Sequence, residues 1–281
     1  MKKRISKLSQ ISVFIILGIV LVAALSLSYG FKIIPSNRDS EFFSHADIKP
    51  AVENIEANII LCLHKSGREG LRTIGLQGGY YDKPEKRVDL SKGFIPYYYY
   101  EGNYLMPGNE RISEELGKFV QNKVNSCLDG LKFEGFQLTH TQPRGDVFIN
   151  KSSVLMIIDS SVVVHKDGRR IVFNTRNYPV SQNSALKDIL DVAQYITESH
   201  RLDSKNYCIS CVDRLAEEKN VYVSNIPLKN DSVLIIIGEN RTSDEPYLFS
   251  FLNKYNNEVS DDFKLTGEFA EGIPGTGGVG V

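Results

Sequence analysis

The sequence predicts an α+β fold: an N-terminal transmembrane helix, then an ectodomain whose mixed, largely antiparallel sheet packs against amphipathic helices. Three observations lead there. An uncharged apolar run from Ile11 to Leu27 follows Lys2, Lys3, Arg4 and Lys7. Later stretches repeat apolar residues at helical spacing, and between them lie short β-branched runs bounded by turn residues.

The apolar run is about the length that crosses a ~30 Å hydrocarbon core as a helix. Its basic flank favours a cytoplasmic N-terminus, so residues 1–30 read as a single-pass anchor with the remainder extracytoplasmic. Two other readings stay open. Ser26-Leu27-Ser28 offers a cleavage site before Tyr29, although the run is long for a secretory signal. Lys7-Leu8-Ser9-Gln10-Ile11-Ser12 resembles the junction of archaeal class III signal sequences, with Ser9 in the glycine position and Phe14 where pilins carry an acid.

Residues 31–50, with Pro35, Ser36, Asn37 and Pro50, read as a juxtamembrane linker, and 51–265 as the extracytoplasmic α+β domain. Val52, Ile55, Ile59, Leu63 and Ile74 form the apolar face of a first helix, which stops at Gly75-Leu76-Gln77-Gly78-Gly79 and a flexible turn. Residues 82–109 are rich in turn signals and contain Ile95-Pro96-Tyr97-Tyr98-Tyr99-Tyr100. Ile112, Leu116, Phe119, Val120 and Val124 mark a second helix over about 110–128. β segments follow near 133–141, 145–149, 154–164 and 170–178, the last two joined by the hairpin signal Asp167-Gly168. Alternation is poor in Leu155-Met156-Ile157-Ile158, which suggests a central strand covered on both faces. Another amphipathic helix spans 184–200, and Val221–Ile226 with Val233–Ile237 make a second hairpin. Tyr247–Leu252 fits a strand or a short helix, and all strands are expected in one sheet. Residues 266–281, with six glycines among them, read as a flexible tail.

The four cysteines, Cys62, Cys127, Cys208 and Cys211, are even in number on the side of the membrane where disulfides persist. Cys62 and Cys127 each lie on or beside the apolar stripe of a helix, so packing those helices favours a bridge between them. Such a bridge is worth about 4 kcal/mol in the chain-entropy account. Cys208-Ile209-Ser210-Cys211 precedes a helical pattern. A helix N-terminus stabilises a thiolate, so this spacing suits thiol–disulfide exchange. A thioredoxin-like site follows a strand, however, whereas here a helix comes before, which favours a structural staple. A tetrahedral zinc site would need a second pair of ligands.

Net charge is −1 for the whole chain, leaving about −5 once the four N-terminal cations are set aside. That balance, with no basic stripe, argues against nucleic acid as a partner. The tyrosine run Tyr97, Tyr98, Tyr99 and Tyr100 could line a groove or stack on sugars, although strand alternation buries half of any such run. Gly75–Gly79 follows a helix and lacks lysine, so it is no phosphate loop. His45, His64, His140, His165 and His200 are scattered, and neither HExxH nor a Gly-x-Ser-x-Gly elbow occurs. No catalytic or metal residue and no cofactor is nominated. Glycosylation sequons begin at Asn150, Asn230 and Asn240, all near predicted turns.

The basic start leading into Ile15-Ile16-Leu17-Gly18, the Glu53–Cys62 helix, Gly75-Leu76-Gln77-Gly78-Gly79-Tyr80, Ile95–Tyr100, Phe133-Glu134-Gly135-Phe136 and Cys208–Cys211 together resemble a family of single-pass membrane proteins of small-genome archaea. The resemblance covers most of the chain after the linker. It implies an anchored extracytoplasmic domain with paired cysteines and brings no activity with it. The expected function is a membrane-anchored surface or envelope protein with a protein or glycan partner, contacted by the tyrosine-rich segment. The alternatives are an extracytoplasmic thiol–disulfide oxidoreductase, with Cys208 as nucleophile and Cys211 as resolving thiol, and a pilin-like filament subunit.

Overall fold

Ile55, Ile59, Cys62, Leu63, Leu71 and Ile74 fall on one side of α1 (Lys49–Leu76) and are all buried, with small Ser66, Gly67 and Gly70 filling the same side between Leu63 and Leu71. The computed structural model describes residues 49–202, 208–240 and 246–255. The expected membrane anchor, the linker as far as residue 48, and the tail lie outside them. Among the described residues no helix is long and apolar enough to cross a membrane. Those from Glu53 onward belong to one compact unit.

After α1 come β1 (Arg87–Leu90), β2 (Gly93–Tyr100), β3 (Asn103–Tyr104) and α2 (Asn109–Gly130). The turn-rich segment thus holds three strands. β2 and β3 are joined by Glu101-Gly102, both at positive φ, a hairpin turn that twists with the strands it connects. Next are β4 (Gln137–His140), β5 (Arg144–Ile149), β6 (Ser153–Asp159), β7 (Ser161–Lys166), β8 (Arg169–Asn174), a single 3-10 turn, and β9 (Val180–Asn183). Helices α3 (Leu186–Leu202) and α4 (Ile209–Glu218) precede β10 (Val221–Pro227), β11 (Ser232–Glu239) and β12 (Leu248–Lys254). Tyr247–Leu252 is therefore strand, pairing along β11 and, in parallel, along β2.

Among the described residues the architecture is α+β, but the single expected sheet is three. The largest runs β1-β2-β12-β11-β10 with β3 beside β2, and only its β2–β12 pairing is parallel. The others are antiparallel and three-stranded, β4-β7-β8 and β5-β6-β9. The segment expected as one strand over 154–164 breaks at Ser160, because side-chain hydroxyls replace the ladder there. Ser160 N donates to Thr175 Oγ1 at 2.8 Å, and that hydroxyl donates to Ile158 O at 2.7 Å. Ser161 N donates to Thr141 Oγ1 at 2.9 Å. Nor is this strand covered on both faces. Val154, Met156 and Ile158 are buried while the residues between them stay partly exposed, so alternation holds despite the uniformly apolar sequence.

Helix α2 lies against β5 at a glycine pair, where a Cβ on Gly117 would come 2.7 Å from Gly145 O. Cys62 of α1 and Cys127 of α2 are bonded, with their Cα atoms 5.8 Å apart. The turn after α1 is packed rather than loose. Gly79, at φ +79°, is buried, and a Cβ there would lie 2.8 Å from Ile112 Cγ1.

Candidate functional site

Strand alternation would put Tyr97 and Tyr99 on one face of β2 and Tyr98 and Tyr100 on the other. The structure does otherwise. Leu252 pairs with Tyr97 and Asn253 with Tyr99, so β2 carries an extra residue against β12. Such a bulge re-aims the side chains around it. Tyr98 and Tyr99 are buried, at 0% and 6% exposure. The Tyr98 ring stacks on Phe251 at 4.4 Å, and its hydroxyl donates to Gly78 O at 2.8 Å. Burial holds the Tyr98 phenol well above its ordinary pKa. Of the four tyrosines expected as binding candidates, these two are core residues.

Tyr97 and Tyr100 instead meet edge to face, ring centroids 5.0 Å apart, on the wall of a pocket of about 400 Å³. Its other walls come from the start of β1, the turn between β10 and β11, and the end of β12. Lys86 and Lys254 place their ammonium groups 5.3 and 4.9 Å from the centre of the Tyr100 ring, whose π face attracts cations. Lys254 also pairs with Glu101, whose carboxylate raises its pKa and keeps it charged. Arg87 is committed locally, its Nε 3.1 Å from Asp89 and its Nη1 donating to Pro84 O at 2.7 Å. Lys229, in the β10–β11 turn, is exposed and has no acidic partner among the described residues. Ser232 Oγ lies 3.4 Å from Tyr97 Oη. Sequence reasoning pointed to the tyrosines but missed the cations. They come from three places far apart in the chain, and no spacing signals that they converge.

The second candidate is the 208–211 pair. Cys208 is the exposed N-cap residue of α4 and is bonded to Cys211, Cα atoms 5.2 Å apart. Val212 N donates to Cys208 O at 3.2 Å, opening the helix. Lys219, just past α4, bridges Asp188 and Asp191 of α3 at 2.9 and 2.8 Å and ties the two helices together.

The remaining polar clusters have structural roles. Buried Glu115 accepts from Tyr81 N and Asp82 N at 2.9 and 2.7 Å, and Glu239 accepts from Ala185 N at the start of α3. Buried His200 contacts Asn253 Nδ2 at 2.6 Å and Tyr255 Oη at 3.0 Å. His140 is 3.0 Å from Asp129, while His64 and His165 are exposed, and His45 lies outside the described residues. No three metal-ligating side chains converge among the described residues. Asn150, Asn230 and Asn240 are all exposed, and Asn230 borders the tyrosine pocket. No protein family matches this chain, nor does any curated protein or solved structure.

Proposed function

We propose that this is a single-pass, membrane-anchored surface protein that engages a protein or glycan partner through the pocket built around Tyr97 and Tyr100. The observation that carries the reading is the bulge in β2, which spends an irregularity on presenting two tyrosines beside three lysines. The apolar run from Ile11 to Leu27 behind its basic flank supports the anchor. The pairing of all four cysteines supports an oxidising, extracytoplasmic setting. The test places a photoreactive side chain at Tyr100 in the full chain on intact cells. A discrete surface adduct, absent when the same probe replaces exposed Val172, is expected. Equal labelling from both positions counts against the pocket. Resistance of the domain to protease added outside the cells would overturn the topology.

The exposed position of Cys208 at a helix N-terminus favours a second reading, thiol–disulfide exchange. In that chemistry the 208–211 disulfide oxidises a substrate dithiol. One substrate thiolate attacks the Cys208 sulfur and expels the Cys211 thiolate, and the second substrate thiolate then attacks the mixed disulfide, forming the substrate disulfide and freeing Cys208. Redox titration of the full chain separates the readings. A potential near −120 to −200 mV, lost in Cys208→Ser, supports exchange, whereas one below about −300 mV marks a staple.

A further inference from the structure

We infer that the tyrosine–lysine pocket is a receptor for an acidic saccharide, with the ligand's carboxylate held by Lys229 and its hydroxyls met by Tyr97 and Asn230. The inference rests on the reading of this pocket as the contact site and names what it takes.

Charge comes first. Four cationic side chains line the pocket against one carboxylate, Glu85, in a chain whose overall charge is −1. Glu85 pairs with Lys86 at 3.2 Å, Asp89 with Arg87, and Glu101 with Lys254, which leaves Lys229 to be answered from outside the described residues. An anion completes this set.

Ring geometry then narrows the ligand. Tyr97 and Tyr100 stand at 81° and form a corner, with two ammonium groups drawn to the Tyr100 ring. A corner offers no parallel slot for a flat nucleobase, but it fixes the lysines in place before a ligand arrives, which lowers the ordering cost of binding. All the lining residues among the described ones belong to strands or the segments beside them. One positive charge, on Lys229, is left unanswered, and a carboxylate matches it with a single negative charge where a phosphate brings about 1.5 to 2.

Size and polarity supply the rest. About 400 Å³ exceeds the needs of a bare anion and falls within the range of small-ligand sites, roughly 300–1,000 Å³. The Tyr97 hydroxyl, oriented by the buried Ser232, and the exposed Asn230 amide can meet ligand hydroxyls, and Val88 and Leu228 add apolar surface for a sugar's C–H face.

The experiment titrates the full chain in detergent with glucuronate, oligogalacturonate, glucose, inorganic phosphate and polyglutamate, following the tyrosine ring resonances by NMR. Saturable shifts at Tyr97 and Tyr100 are expected with the two uronates. Lys229→Ala should weaken them about tenfold, the loss of roughly one charge-assisted contact, and glucose should bind weaker than glucuronate by at least a similar factor. Equal binding of phosphate, tighter binding of polyglutamate than of oligogalacturonate, or no saturable shift with any probe overturns the assignment. If Tyr100 still crosslinks a surface partner after such a failure, only the ligand class falls. If crosslinking fails too, the role of the pocket falls with it.

Discussion

His200 shows how burial alone sets the chemistry of a single residue. It is 2% exposed at the end of α3, and desolvation lowers its pKa from 6.5 to about 4. The imidazole is neutral in the folded protein, whereas in the unfolded chain it takes up a proton as pH falls below its ordinary value. Its contribution is therefore complete above about pH 6.5 and is lost as pH drops towards 4. Urea unfolding of the full chain should show a loss of about 2 kcal/mol between pH 7 and pH 5 from this group, and His200→Gln should flatten that slope. At the same scale Glu115 is fully buried and accepts from two backbone N–H groups, while Arg111 and Lys118 bridge it to solvent. Glu115→Ala should cost about 2–4 kcal/mol in the same assay, since both donors would be left without an acceptor. Neither role is legible in the sequence. His200 is one of five scattered histidines and Glu115 one of many acids, and their partners are supplied by residues 53 and about 34 positions away.

At the scale of elements, helices read most clearly. α1, α2 and α3 each bury the apolar stripe that their spacing predicts, because a 3.6-residue period leaves a distinct pattern over several turns. Strands read less well. The break at Ser160 is invisible as a pattern, since Thr175 and Thr141, which replace the ladder bonds, are ordinary threonines until the chain brings them there. Thr175→Val keeps the side-chain shape but removes the oxygen that Ser160 N needs. We expect it to destabilise the protein by about 1–3 kcal/mol, with faster amide exchange at Ser160 than at Val154 as the local readout. The bulge in β2 is the same kind of event. A run of four tyrosines suggests a strand with alternate faces, yet a one-residue mismatch against β12 decides which two reach the pocket.

For the whole molecule, the bridge from Cys62 to Cys127 is the longest covalent constraint among the described residues, closing 65 residues of chain between α1 and α2. Replacing both by alanine in the full chain should lower stability by about 4 kcal/mol and the midpoint of thermal unfolding by roughly 10 °C. Replacing Cys208 and Cys211 together should cost less, because the loop they close is only three residues long in sequence separation. The sequence by itself determined the α+β class, the helix positions and the two cysteine pairs. All of these follow from local period, local turn chemistry or the even count of cysteines. Only the tertiary structure decided that the strands among the described residues form three sheets, that Tyr98 and Tyr99 are core, and that Lys86, Lys229 and Lys254 surround Tyr97 and Tyr100. Those outcomes depend on strand register and on contacts between distant segments, and a shift of one residue in register exchanges the faces of a strand without changing its sequence.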